Sequence, residues 1–302
     1  MTADTSRPPA ASAELILNLR SRQSRGKLAS ILAAFESRGI IFAHVHRLNK
    51  RTDVVALLRA IKKRSPELLV VGGGDGTIST VLNKLVGTPI EIGILPLGTT
   101  NNFARSLELP LDIKPCVDRI VTAQASPIDL GSVNKRYFTN VLGIGLSARI
   151  AASITSSHKQ RYGRLAYGIV GLKELLFHKP FYVKLRDVDS DLELSLETHQ
   201  LIVANGRYHA GKKIAEEAKV DNRELILFAL GGRSRFTLAM HLLDFYSGRK
   251  RSIRHSSYII GRRIIIQTES SQPIELDGET HGSTPLQVEI AAQAVNIRYK
   301  GT

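Results

Sequence analysis

Leu68-Leu69-Val70-Val71-Gly72-Gly73-Gly74-Asp75-Gly76-Thr77-Ile78 decides the fold: a buried strand runs directly into a glycine-rich turn, and an amphipathic helix over 78–86 follows. Glycines accept positive φ and let a ligand approach the main chain, while the first turn of a helix offers unpaired N–H groups at the positive end of its dipole. The turn reads as a phosphate cradle, with Thr77 suited to cap the helix. It has neither the lysine of G-x-x-x-x-G-K-[ST] nor the spacing of G-x-G-x-x-G, which sets aside a Walker A loop and a dinucleotide fingerprint. Where the lysine would stand there is an acid, Asp75. A carboxylate beside phosphate calls for a cation or a hydrogen-bonded sugar between them, as in a magnesium-nucleotide site.

Outward from this loop, strand and helix patterns alternate. An apolar run at Leu15–Leu19 precedes a helix over 27–38, whose Leu28, Ile31, Leu32 and Phe35 share one stripe and which Gly39 ends. A strand at Ile40–Val45, a helix over 53–63 and a strand at Ile90–Leu95 continue the series. The βαβ succession predicts a parallel sheet covered by helices, with ligand at the carboxyl ends of the strands. After Asp129 the texture changes to short β-like runs: 138–142, 181–188, 192–196, 201–204, 225–230, 258–260, 264–267 and 274–276. These predict an antiparallel sandwich or barrel, interrupted by helices near 164–177 and 235–246. The expected organisation is a disordered tail over 1–13, an α/β nucleotide-binding domain over 14–130 joined by a returning segment 287–302, and a β-rich domain over 131–286.

With 302 residues and 43% apolar content the chain has enough material for two cores. The formal net charge is +15, and basic residues concentrate at Arg20, Arg22, Arg25 and Lys27 and again at Arg249, Lys250, Arg251, Arg254, Arg262 and Arg263. An anionic partner follows: membrane phospholipid, nucleic acid or polyphosphate. Without Trp, and without a helix-turn-helix, zinc-finger or aromatic RNA-reading motif, nucleic acid is not expected. No apolar run approaches the ~20 residues that cross a bilayer, and the tail has no signal-like hydrophobic region, so a soluble or peripheral protein is expected. The single cysteine, Cys116, precludes an internal disulfide and fits a reducing interior. The histidines show no compact metal-ligand spacing.

A second strand-to-helix loop, Leu95-Pro96-Leu97-Gly98-Thr99-Thr100-Asn101-Asn102-Phe103-Ala104-Arg105, is rich in small hydroxyl and amide groups. Alone it reads as a turn with helix caps. One βα unit after the glycine loop, its polar side chains are candidates to bond nucleotide or metal-bound water.

Together with Ile128-Asp129-Leu130-Gly131 and Leu276-Asp277-Gly278-Glu279, these two loops make a chain that resembles the diacylglycerol kinase catalytic-domain family of lipid kinases, from about Leu15 to Tyr299. The order and separation of the motifs carry the resemblance. It implies a lipid kinase and NAD kinase-like two-domain architecture, with ATP between the domains and its phosphates near Gly73, Gly74, Asp75, Gly76 and Thr77 and near Gly98, Thr99 and Asn101. Asn18, Arg20 and Ser21 match an early loop that touches nucleotide in the family. Asp129 corresponds to an acid in a water-mediated magnesium network, Asp277 to the base that takes the lipid hydroxyl proton, and Glu279 to a residue that orients Asp277 or binds metal. Asn102 stands where many relatives have Asp, which removes one negative charge from the metal network. A structural magnesium site at Asp221 is weakened by Glu216 and by Asn222-Arg223 in place of the frequent Asp-Gly.

The expected activity is ATP-dependent, magnesium-requiring phosphorylation of a hydroxyl on diacylglycerol or a related lipid, by a cytoplasmic protein visiting an anionic inner membrane leaflet. The 131–286 domain would receive the lipid, and a homodimer is one assembly open to it. A helix over 164–177, with Leu165, Ile169, Leu172 and Leu176, is a core helix by its period, or a lipid-facing one in company with the basic clusters. Two rivals stand beside this reading: an NAD kinase-like soluble phosphotransferase, which shares the glycine loop, and a non-enzymatic anionic-lipid binder on the same scaffold.

Overall fold

The computed structural model describes residues 12–19, 24, 26–153, 171, 174, 177–215, 217–230, 234, 236–240 and 258–300. Arg20 and Ser21, residues 1–11 of the expected tail, most of the two helices expected near 164–177 and 235–246, and Arg249, Lys250, Arg251 and Arg254 lie outside the described residues. The chain divides into two compact units, residues 1–129 with 292–302, and residues 130–291.

The first unit contains β1 (Ala13–Asn18), α1 (Leu28–Glu36), β2 (His44–Leu48), α2 (Val54–Arg64), β3 (Leu68–Gly73), α3 (Asp75–Leu85), β4 (Glu91–Pro96), α4 (Asn102–Ser106) and α5 (Ile113–Thr122). Its strands run in the order β2-β1-β3-β4, all parallel, and the end of β18 (Leu286–Lys300) adds in parallel beside β4 through Asn296 and Ile297. β3 is buried along its whole length, as its unbroken apolar run requires of a central strand covered on both faces. Leu15, Leu17, Ile31, Phe35, Val70, Leu95 and Ile120 form one core, each contributing roughly 1.5–3 kcal/mol by burial. Cys116 belongs to that core. Its thiol donates to the Ile94 carbonyl at 3.2 Å, and burial pushes its pKa up to about 12.

Local differences from the sequence reading have physical causes. The strand expected over 40–45 begins only at His44, because Ile40 closes the turn after α1 with its amide on the Phe35 carbonyl and Ile41 is 79% exposed. Ala13, the last residue of the expected tail, opens β1. Asp53 caps α2 by accepting from the Ala56 amide at 3.0 Å.

The second unit is antiparallel and β-rich, and it contains α6 (Leu146–Ser153). One set of strands runs β14 (Tyr258–Gly261), β13 (Leu225–Leu230), β10 (Gln200–Ala204), β7 (Val141–Gly145), β16 (Pro273–Leu276), β17 (Glu279–Ser283). Another runs from the start of β18 through β15 (Arg263–Thr268) and β8 (Phe181–Asp187) to β9 (Glu193–Thr198). Leu142, Ile144, Leu201 and Leu276 from the first set pack with Val183, Leu185, Ile264 and Val288 from the second in one core, which makes the unit a sandwich. The run expected as one strand over 138–142 is split. β6 (Arg136–Phe138) ends and β7 begins on either side of Thr139-Asn140, whose amides leave the ladder for a side chain described below.

Candidate functional site

In the first unit the glycine loop and the polar loop are in backbone contact. A Cβ on Gly98 would lie 2.5 Å from the Gly74 Cα, a distance that real Cβ atoms do not tolerate against backbone. Leu97 donates its amide to the Gly73 carbonyl at 2.9 Å, extending the β3–β4 pairing into the loops. The N-cap of α3 is Gly74, and Asp75 is already its first residue. Thr77 therefore sits in the first turn instead of capping it, and its hydroxyl accepts from Asn18 Nδ2 at 2.7 Å. This bond ties the end of β1 to the start of α3.

Asp75 does not face the cradle as an uncompensated charge. Its Oδ2 accepts from the Thr100 hydroxyl at 2.8 Å and its Oδ1 from the Phe103 amide in the first turn of α4 at 3.0 Å. Asn101, 6% exposed and at φ 48°, spends both ends of its side chain on Gly98: Oδ1 accepts from the Gly98 amide at 2.8 Å and Nδ2 donates to the Gly98 carbonyl at 3.0 Å. Thr99 is exposed at the tip. A cleft of about 740 Å³ opens beside these loops, lined by Asn18, Leu19, Leu48, Asn49, Lys50, Gly74, Gly76, Thr77, Leu97 and Gly98. Asn18, Gly74, Gly76, Thr77 and Gly98 thus share one cavity, while Asp75 and Asn101 act from behind it by holding the loops in shape.

Leu48, Asn49 and Lys50 escaped sequence reasoning. They follow β2, the neighbour of β1, and the rule that ligands gather at the carboxyl ends of parallel strands points to them once the strand order is known. Asp129 is buried at 2% exposure, and its Oδ1 accepts from the Gln293 amide at 2.8 Å.

In the second unit, Asp277 and Gly278 form the two-residue turn joining β16 to β17, with Leu276 paired to Glu279. Both turn residues have positive φ, 49° and 91°, the geometry of a type I′ hairpin. The Asp277 side chain folds back onto the start of β7. Its Oδ2 accepts from the Thr139 amide at 2.7 Å and the Thr139 hydroxyl at 2.8 Å; its Oδ1 accepts from the amides of Asn140 at 2.9 Å and Val141 at 3.1 Å. Each oxygen thus accepts two hydrogen bonds. Burial pushes the Asp277 pKa up against these donors, which pull it down, and the net direction is upward.

Glu275, two residues earlier, is 2% exposed and escaped sequence reasoning. Its Oε2 accepts from the Gly278 amide at 2.5 Å, it bonds Ser147 at the start of α6, and it fills the space over Gly143. Burial, and then the charge of Asp277, raise its pKa against the opposing pull of His209. No local pattern marked it, because Ile274, Glu275 and Leu276 are buried together in β16 and the strand shows no alternation. Glu279 is exposed, with His281 Nε2 at 3.9 Å from its Oε2. Asp221 is exposed near the turn in which Arg223 takes φ 60°, the conformation a glycine would adopt. Among the described residues no group of three or more His, Cys, Asp or Glu side chains could hold a metal ion by itself.

Two family models match the chain. The diacylglycerol kinase catalytic domain covers residues 12–133, and the YegS C-terminal NAD kinase beta sandwich-like domain covers residues 140–299. The chain belongs to the diacylglycerol kinase family. It is 28% identical over 263 residues to the diacylglycerol kinase of Bacillus subtilis (strain 168), covering 85% of this chain and 86% of that one. It is 27% identical over 257 residues to a candidate lipid kinase of Staphylococcus aureus (strain JH9), covering 81% and 82%. A crystal structure of a diacylglycerol kinase from Bacillus anthracis str. Sterne shares the fold, with TM-score 0.78, 21% identity and coverage of 98% and 99%. As a member of the diacylglycerol kinase family the chain is a kinase, a phosphotransferase for which ATP is the expected donor. Among the described residues no helix is long and apolar enough to cross a membrane.

Proposed function

We propose that the chain phosphorylates a hydroxyl of diacylglycerol or a related acyl lipid at an anionic membrane surface, with ATP and magnesium. The observation that carries the nucleotide half of this reading is the contact between Gly74 and Gly98, which leaves room for no side chain where both glycines line a cleft of nucleotide size. Asn18, Thr77 and Lys50 line the same cleft and would bind phosphate or ribose oxygens. Magnesium keeps most of its waters and binds chiefly through substrate phosphates, so it would need few protein ligands here. Magnesium, when bound, would offset charge on the phosphoryl group and the leaving diphosphate. Asp129 would join that network through water.

For the acceptor, an alcohol is scarcely ionised at neutral pH, so a base is needed as its oxygen attacks phosphorus. Asp277 takes that proton in this reading, a contribution of typically ~10²–10⁴-fold. The upward direction of its pKa brings it nearer the range in which a base works at neutral pH. Basic residues at the start of the chain and over 249–263 would draw the protein to anionic lipid at ~1 kcal/mol for each one near the surface.

Purified protein incubated with ATP, magnesium and a panel of hydroxylated lipids in mixed micelles should yield phosphorylated diacylglycerol. Transfer to NAD and to no lipid would move the chain to the NAD kinase-like alternative; folded protein that binds anionic vesicles yet transfers nothing would leave only a lipid binder. Asp277→Asn should lower turnover by roughly 100-fold or more. Unchanged turnover removes Asp277 from the role of base.

A further inference from the structure

The carboxylate of Asp277 is held by donors of two kinds. Three are backbone amides of consecutive residues, Thr139, Asn140 and Val141, which any amino acids except proline would supply. The fourth is the Thr139 hydroxyl, 2.8 Å from Oδ2. That hydroxyl is itself seated: Asn140 Nδ2 donates to it at 3.0 Å, and Asn205 Nδ2 fixes the Thr139 carbonyl at 2.9 Å. The Asn205 and Gly206 amides hold the Asn140 carbonyl at 2.8 and 3.0 Å. Thr139, Asn140 and Asn205 are 1%, 2% and 0% exposed, so bulk water does not reach in to replace a lost partner. The sequence of three side chains, Asn140 to Thr139 to Asp277, runs with every donor aimed toward the carboxylate.

We propose that Thr139 is a positioning residue for the reaction: its hydroxyl, oriented by Asn140, fixes the Asp277 carboxylate in one rotamer and keeps it in the charged form that can accept a proton. This rests on the reading of Asp277 as the base. A donor to the ionised form favours that form, and it does so here against burial, which works the other way. The charged and titratable neighbours act on the same balance. Glu275 on β16 bears on Asp277 directly, while His209 on β11 (Tyr208–His209) faces Glu275, and Ser147 on α6 bonds it. Thr139→Val would keep the shape, remove the hydroxyl, leave Oδ2 with its amide donor and deprive Asn140 Nδ2 of this acceptor.

The test compares wild type with Thr139→Val, Thr139→Ser and Asp277→Asn in the full chain, with two readouts. One is a carboxyl carbon NMR titration, in which the signal missing from Asp277→Asn identifies Asp277. The other is the pH dependence of kcat/KM with diacylglycerol micelles. The hydroxyl lowers the proton affinity of Asp277, so its loss moves both the Asp277 titration and the acid limb of the rate profile to higher pH. At the wild-type acid midpoint kcat/KM should fall about tenfold, the equivalent of one charge-assisted hydrogen bond. KM for ATP should stay within about twofold of wild type. Thr139→Ser should match wild type in both readouts. Should Thr139→Val fail to fold, Thr139→Ala removes the same hydroxyl without adding a methyl beside the carboxylate.

A variant without the hydroxyl that titrates at the wild-type position overturns the proposal, as does Thr139→Ser behaving like the valine variant. If Asp277→Asn keeps its turnover, the role of Asp277 as base fails and with it the positioning role, even where the NMR shift verifies the hydrogen bond. The two failures are therefore told apart.

Discussion

Two turns each set an aspartate beside glycine, Gly74-Asp75-Gly76 in the first unit and Asp277-Gly278 in the second, and the fold treats them in opposite ways. Asp75 stands at the start of α3, half-buried, and accepts one hydroxyl and one amide from the neighbouring loop. Asp277 stands in a type I′ turn and accepts three amides and a hydroxyl from the start of β7. A helix N-terminus already offers amides and a positive dipole end, so the cradle binds through backbone and its acid serves as a brace. A β-hairpin turn has no such field, and the chemistry proposed there must come from a side chain whose proton affinity the surroundings set.

The largest test of this contrast is Asp277→Ala. It strips acceptors from three amides and a hydroxyl in a dry site, and should cost on the order of 3–5 kcal/mol in urea denaturation. Asp75→Ala, with two donors released nearer to solvent, should cost only about 1 kcal/mol and weaken nucleotide binding severalfold. Equal costs would break the comparison. Between these two falls Gly98→Ala: its Cβ meets the Gly74 backbone, so a loss of roughly 1–3 kcal/mol is expected, and the rise in melting temperature on adding ADP should disappear. A retained thermal shift would mean that the two loops part without loss of the cradle.

The smallest effect is a pH dependence at Glu275. Its folded pKa is raised above the ordinary glutamate value of 4.5, so in the window above 4.5 the folded state holds a proton that the unfolded chain has released. Stability is therefore lost as pH rises through that window up to the folded pKa. Glu275→Gln removes this loss. The variant should gain on wild type by about 1 kcal/mol or less at pH 8, and the gain should shrink as pH falls toward 4.5, measured by denaturant midpoints across pH. A difference independent of pH would mean that Glu275 acts through packing alone.

Much of the fold was legible because it is written in local period. The stripe of Leu28, Ile31, Leu32 and Phe35 could only be one face of a helix, and the runs at 68–71 and 201–204 could only be buried segments. The glycine loop was legible as a cradle for the same reason: strand, glycines and helix are contiguous. Less legible was the helix start. Thr77 is the better capping residue by type, yet the chain turns at Gly74, because β3 continues through Gly73 and the contact with Gly98 admits no side chain. The break at Thr139-Asn140 was hidden within an apolar run, since the acceptor that takes those amides out of the ladder lies 138 and 137 residues away.

By itself the sequence determined the βαβ succession of the first half, the antiparallel class of the second, and the motifs that mark a kinase, because periodicity and turn chemistry act between residues a few positions apart. Only the tertiary structure decided that Asp75 braces a loop, that Lys50 borders the cleft, and that Glu275 and Thr139 surround the Asp277 turn. Those facts depend on which distant groups a fold brings within 3 Å and which it seals from water, and no stretch of sequence carries them alone.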